Sequence, residues 1–194
     1  VLELIMKNSV FKFGDTYWVQ KTGTAMGTSC ACMYAMIFYG LHERIRLLPE
    51  TALSCPLLTR FIDDMFGIWY DLAMPLTLSD KEEKEWWSVH PRWIAFTASL
   101  AFGGLTWTVK PPARQQVMLD LTLTMEGRGI RSKTFQKSLN LYLYLPQLSA
   151  HPPLCFMGLV FGELGRYWRQ NSRPSDYVEL ANLFFLRLKE RGHR

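Results

Sequence analysis

Two adjacent carboxylates, Asp63 and Asp64, sit inside the apolar run Leu57-Leu58-Thr59-Arg60-Phe61-Ile62-Asp63-Asp64-Met65-Phe66-Gly67-Ile68-Trp69-Tyr70. Burying an unpaired carboxylate among such neighbours is heavily penalised, and strand periodicity sends adjacent side chains to opposite faces. At a hairpin tip both can instead approach one hard cation. Mg²⁺ takes oxygen ligands and leaves room for phosphates and water. Two such ions ~3.5–4 Å apart drive phosphoryl transfer in polymerases and many nucleases. An exposed turn is the plain alternative, because Asp is common in turns. The apolar flanks weigh against it.

A second set precedes it: Gln20-Lys21-Thr22-Gly23-Thr24-Ala25-Met26-Gly27. Glycines beside a helix start let a backbone approach a ligand closely. The pattern is not a P-loop, since GxxxxGK[ST] is absent. A plain loop and helix cap would look the same.

The elements that must position these residues are legible in outline. Val10 to Val19 alternates around a Gly14-Asp15 turn and predicts a strand and turn. Ala31 to Leu48 carries Met33, Met36, Ile37, Leu41, Ile45 and Leu48 at helical spacing, and Pro49 should end that helix. Met33, Met36 and the Trp residues are read as core. Leu57–Tyr70 predicts a hairpin with the Asp pair at its tip. Ser79-Asp80-Lys81-Glu82 is a capping box opening a helix that Pro91 closes. Trp93–Leu100 and Leu105–Val109 read as strands joined by Gly103-Gly104. Val117 to Met125 alternates as one strand and turns through Glu126-Gly127-Arg128-Gly129 into Ile130–Phe135. A final helix opens at Ser175 or Asp176 and ends at Gly192. The order predicts an α+β fold.

Taken together, the Gln20-x-x-Gly23-x-x-Met26-Gly27 run, a helix and Phe61-Ile62-Asp63-Asp64 resemble motif B and motif C of a reverse transcriptase palm. The blocks are most similar to those of Penelope-like retroelements, which are related to telomerase catalytic subunits. Gly23-Thr24-Ala25-Met26-Gly27-Thr28, Arg60–Phe66, Phe96-Thr97, Leu119-Asp120-Leu121-Thr122 and Ser149-x-His151-Pro152 stand in that group's order. Gly162-Glu163-Leu164-x-Arg166 resembles its thumb. The resemblance spans roughly residues 10–175.

The resemblance implies an RNA-directed DNA polymerase. A primer 3′-hydroxyl attacks the α-phosphate of a deoxynucleoside triphosphate, with Mg²⁺ or Mn²⁺ as cofactor. Asp63 and Asp64 would be the catalytic, metal-binding pair. Gln20, Gly23, Met26 and Gly27 would line the template and nucleotide pocket, and their loop should lie near the carboxylates. The Leu119–Leu121 hairpin would resemble a primer grip. Residues 1–145 would form a polymerase palm, an antiparallel sheet with packed helices. Residues 146–194 would form a partial helical thumb. Partners would be an RNA template, a DNA primer, and an upstream fingers and motif A segment. The setting would be intracellular and nuclear. Departures are the missing motif A, Cys32 where relatives often have Pro, Phe61 where many have Tyr, and no following GIY-YIG nuclease. These predict a fragment of a longer protein, for which an inactive, nucleic-acid-binding remnant is the alternative. A viral RNA polymerase fits less well, since Ile62 replaces the Gly of Gly-Asp-Asp and no Ser-Gly precedes the helix.

Charge agrees with that division of labour. Residues 1–109 carry nine Lys/Arg and eleven Asp/Glu, whereas residues 110–194 carry thirteen and six, a net of +7. Lys110, Arg128, Arg131, Lys133, Lys137, Arg166, Arg169 and Arg173 form a basic set that could follow a nucleic-acid backbone. The 194 residues correspond to one domain at ~100–200 residues each. A hydrophobic content of 48 % and a charged content of 20 % exclude a disordered chain. Four Cys without a CxxC pair argue against a zinc knuckle and for reduced thiols. No apolar run reaches the ~18 residues of a membrane helix, and no signal peptide is evident.

Overall fold

The computed structural model of the chain describes all residues except Val1, Met26, Thr28, Ser29, Leu76, Arg128 and Arg194. The fold is α+β, with small antiparallel sheets and helices. It divides into two compact units, 1–112 and 113–194. The sequence placed a boundary after residue 145; here the sheet over 115–134 groups with the C-terminal helices.

In the N-terminal unit a short helix α1 (Leu2–Lys7) precedes the hairpin β1 (Val10–Phe13) and β2 (Thr16–Val19), turned by Gly14-Asp15. Helix α2 (Ala31–His42) runs on into a π-helical turn, Glu43–Leu47, and a last turn, α3 (Leu48–Thr51). Pro49 does not stop this helix: it falls in the first turn of α3, where its missing N–H is not needed. The hairpin β3 (Leu57–Phe61) and β4 (Asp64–Ile68) follows, as expected. Next comes α4 (Asp80–Val89), whose capping box is fully formed between Ser79 and Glu82.

Two expected strands are absent. Residues Pro91–Ser99 form a helix, α5, with Pro91 in its first turn. Its β-prone residues misled; Trp93, Phe96 and Leu100 recur at i, i+3 and i+7 and are all buried. Leu105–Val109 is irregular, and only a Phe102–Leu105 bridge marks the turn at Gly103-Gly104.

The unit's core joins Tyr39, Leu47, Trp87, Trp93, Phe96 and Leu100, with Leu58, Met65 and Trp69 of the hairpin region packed against it. Trp69 meets Trp93 edge-on at 5.2 Å and Phe96 at 4.8 Å, geometry that aromatic pairs favour. Tyr39 donates to the Leu100 carbonyl at 2.7 Å, and burial pushes its pKa up to about 12. Met33 and Met36 were read as core, yet they lie on the exposed face of α2 with Ile37 and Leu41. The helical period was right; the face that packs inward carries Tyr39 and His42 instead.

In the C-terminal unit the expected single strand over 117–125 is two strands. β5 (Gln115–Met118) and β6 (Leu121–Glu126) are joined by a tight turn at Leu119-Asp120, and β7 (Gly129–Thr134) completes the sheet. Leu119 takes φ +54°, a conformation that no Gly or Asn announced. Helix α6 (Pro153–Gln170) lies in the region expected to be helical, where Phe156, Leu159, Val160, Leu164 and Tyr167 recur at helical spacing. It packs on α7 (Pro174–Glu190) around Tyr167, Leu180, Phe184 and Leu188.

The sheet is tied to the α6–α7 junction by polar bonds. Asn171 accepts from the Thr134 amide at 3.0 Å, and Ser172 Oγ from the Ser132 amide at 2.9 Å. Arg131 clasps the buried Asp176 carboxylate at 2.6 and 2.9 Å, and Lys133 stands 3.4 Å away. The hydrogen bonds from Arg131 hold the Asp176 pKa below its ordinary value. A depressed folded pKa adds stability above the unfolded value, ~4, and that stability is lost as pH falls through the folded one. Thermal melts of the chain between pH ~5 and ~2 should therefore fall more steeply than those of Asp176→Asn, which starts less stable at neutral pH. Equal pH slopes would contradict this account.

Candidate metal-binding turn

Asp63 and Asp64 lie where the sequence placed them, at the tip of the β3–β4 hairpin. Phe61 pairs with Asp64, which leaves Ile62-Asp63 as a two-residue turn. Ile62 has φ +53° while Asp63 is not among the positive-φ residues, the signs of a type II′ turn. That first position favours Gly, and a β-branched residue there is a genuine outlier costing ~1–3 kcal/mol.

The ladder decides which way each side chain goes. Arg60 pairs with Met65 and Leu58 with Gly67, and these pairs form the inward face against the core. Thr59 with Phe66 and Phe61 with Asp64 lie on the other face. Gly67 fits because a Cβ there would stand 3.0 Å from Cys55 Sγ. Burial pushes the Cys55 thiol up to about 11.

One buried cation holds the strained turn in place. Arg60 donates to both oxygens of Glu43 at 2.6 and 3.0 Å, to the Ile62 carbonyl at 2.8 Å and to the Met36 carbonyl at 3.2 Å. Its guanidinium lies 5.1 Å from the centre of the Tyr39 ring. Only 6 % of its side chain is exposed. Glu43 opens the π-helical turn, a distortion that recurs at functional sites.

Asp63 and Asp64 are exposed, and no hydrogen bond or ion pair engages them among the described residues. Free carboxylate oxygens of this kind suit a hard divalent cation. Among the described residues no group of three or more His, Cys, Asp or Glu could hold a metal, so the pair is an incomplete set. In the Gln20 loop, Gln20 Nε2 donates to the Thr22 carbonyl at 2.9 Å, and the Gln20 amide donates to the Ser9 carbonyl at 2.9 Å. Gly23 and Gly27 have φ +80° and +94°, which only Gly adopts easily. Met26 lies outside the described residues. Among the described residues no hydrogen bond joins this loop to Asp63 or Asp64.

The basic set is largely committed internally. Arg131, Lys133, Lys137, Arg166 and Arg173 each pair with a carboxylate of their own unit, chiefly Asp120, Glu126, Glu163 and Asp176. A +7 balance read from sequence did not reveal that pairing, because the partners lie 35 or more positions away at most sites. Lys110 and Arg169 carry no ion pair, and Lys110 belongs to the N-terminal unit. Arg128 lies outside the described residues. No helix among the described residues is long and apolar enough to cross a membrane, and no disulfide joins any of the four cysteines. No family model matches the chain, and neither a curated protein nor a solved structure matches it.

Removing Arg60 alone strands a shielded Glu43 carboxylate. Arg60→Met should lower unfolding stability by about 3 kcal/mol in denaturant titrations, and adding Glu43→Leu should recover part of that loss. Additive losses in the double variant would show that the two residues do not act as a pair.

Proposed function

We propose that the chain is the palm and thumb part of an RNA-directed DNA polymerase of the Penelope-like retroelement kind. The observation that carries the reading is the hairpin tip itself: two unengaged carboxylates on a strained turn braced from beneath by Arg60. The order of sequence blocks from Gly23 to Arg166 supports it. The exposed apolar face of α2 and the two-stranded β3–β4 sheet suit a palm to which further polypeptide adds.

In this reading Asp63 and Asp64 would hold Mg²⁺ or Mn²⁺, which would supply positive charge to lower the primer hydroxyl's pKa and offset the leaving pyrophosphate. Asp64, which shares its face with Phe61, would stand beside the primer end. Gln20, Gly23, Met26 and Gly27 border the template and the deoxynucleoside triphosphate. Among the described residues of the basic set, Lys110 and Arg169 are left to meet phosphates of the RNA/DNA hybrid.

A nucleic-acid-binding remnant without catalysis is the second reading, since among the described residues no third ligand joins the acidic pair. Primer extension on an RNA template separates the two. A longer protein that supplies the motif A carboxylate should extend the primer with Mg²⁺ or Mn²⁺. Its Asp63→Asn variant and the 194-residue chain alone should not, since positioning contributes ~7–11 kcal/mol. Full activity of the Asp63→Asn variant would remove the motif C assignment. An inactive longer protein would favour the remnant.

A further inference from the structure

Helix α6 exposes a continuous apolar row on the face turned away from its core. Leu154, Met157, Phe161 and Trp168 recur at helical spacing and are 78, 54, 69 and 64 % exposed. The row runs the length of the helix, so it is a surface and not a scatter of single side chains. Between positions 154 and 168 the only charged residues are Glu163 and Arg166. These pair with each other at 2.7 Å, and Arg166 also reaches Asp120 on the far side of the helix. The row therefore offers no cation to a phosphate backbone and suits an apolar partner.

Gly158 and Gly162 border the row, with nothing within 4 Å of where a Cβ would stand. Glycine weakens a helix interior relative to alanine, and no packing inside the chain explains these two. Their open backbone lets large side chains of another helix come close. The row is also symmetric about Phe161. Leu154 and Trp168 stand seven positions to either side, and Met157 and Gly165 four.

We propose that this row joins two copies of the chain, with α6 packed antiparallel on α6 across a two-fold axis at Phe161. That axis sets Phe161 against its own copy, Leu154 against the partner's Trp168, and Met157 over the partner's Gly165, so that large meets small. One patch then serves both sides, as an isologous interface requires. The size also fits. Four side chains of ~150–250 Å² each, about two thirds exposed, offer roughly 500 Å² per copy before the glycine backbone is added, against ~800 Å² per partner in a standard interface. The pairing needs neither a metal nor Asp63, so it goes beyond the polymerase reading.

Sedimentation equilibrium of the full chain over ~1–100 µM tests this, with the melting temperature of every variant measured alongside. A reversible dimer of micromolar Kd is expected, since one helix row is a small interface. It should survive nuclease treatment and high salt, because apolar burial and not charge holds it. Phe161→Glu, at an exposed position, should weaken it at least tenfold without lowering the melting temperature, and Met157→Glu gives the same reading should the first variant melt early. Leu154→Glu and Trp168→Lys should each be monomeric alone. Mixed in equal amounts they should form a dimer again, because one contact then joins opposite charges and its symmetry mate is unaltered. A chain monomeric throughout, a dimer lost to nuclease or high salt, a dimer indifferent to these substitutions, or a mixture that stays monomeric would overturn the proposal. Failure here leaves the Asp63 reading standing, and failure of primer extension leaves this one.

Discussion

The Arg60 guanidinium is the contact on which the candidate site depends. A buried ion pair recovers its desolvation cost only with good geometry and full hydrogen bonding. Arg60 meets that condition with two Glu43 oxygens, two carbonyls and an aromatic face. It thereby fastens the turn to α2 and to the π-helical turn in one step. A two-stranded sheet is marginal by itself in water, and Ile62 strains this one further. The acidic tip therefore persists because the helix beneath it provides a cation clamp. Lysine, a single point donor, could not reach all of these acceptors in the same plane.

The same turn occurs twice with opposite fates. Ile62-Asp63 and Leu119-Asp120 each join two strands with an aliphatic residue at positive φ followed by Asp. At the first, the carboxylates are left unengaged and exposed. At the second, Asp120 is drawn toward Lys137 and Arg166. Surroundings, not turn chemistry, decide whether such an Asp is available to a cation or is itself held by basic side chains. In the C-terminal unit Arg131 pairs with Asp176 and Arg173 with Glu126, which cross-links the sheet to the α6–α7 region.

Local signals were legible where a single residue type dictates the backbone. Gly14-Asp15, the Ser79–Glu82 capping box and the Glu126–Gly129 turn all formed as read. The Asp63-Asp64 hairpin was legible from its apolar flanks. Reading failed where tertiary packing overrode propensity. Trp93–Leu100 is β-prone by composition, yet its buried residues follow a helical period. The Leu119 turn carries no sequence cue, since a Leu accepts positive φ only under surrounding constraint. Proline misled at Pro49, which falls in a first turn that a helix tolerates, whereas α4 ends before Pro91 as expected and Pro91 then opens α5. The clamp on the candidate site was invisible for a different reason. Glu43 and Arg60 are 17 positions apart, and nothing in either neighbourhood names the other.

The central claim is that this braced turn presents Asp63 and Asp64 to a divalent cation. It is tested most directly by titrating Mn²⁺ into the isotopically labelled chain and following paramagnetic broadening of backbone amide signals. The account predicts that the signals of Asp63, Asp64 and their ladder partner Phe61 broaden first, and that an Asp63→Asn, Asp64→Asn double variant loses this selectivity. Broadening centred elsewhere, or unchanged in the double variant, would contradict it.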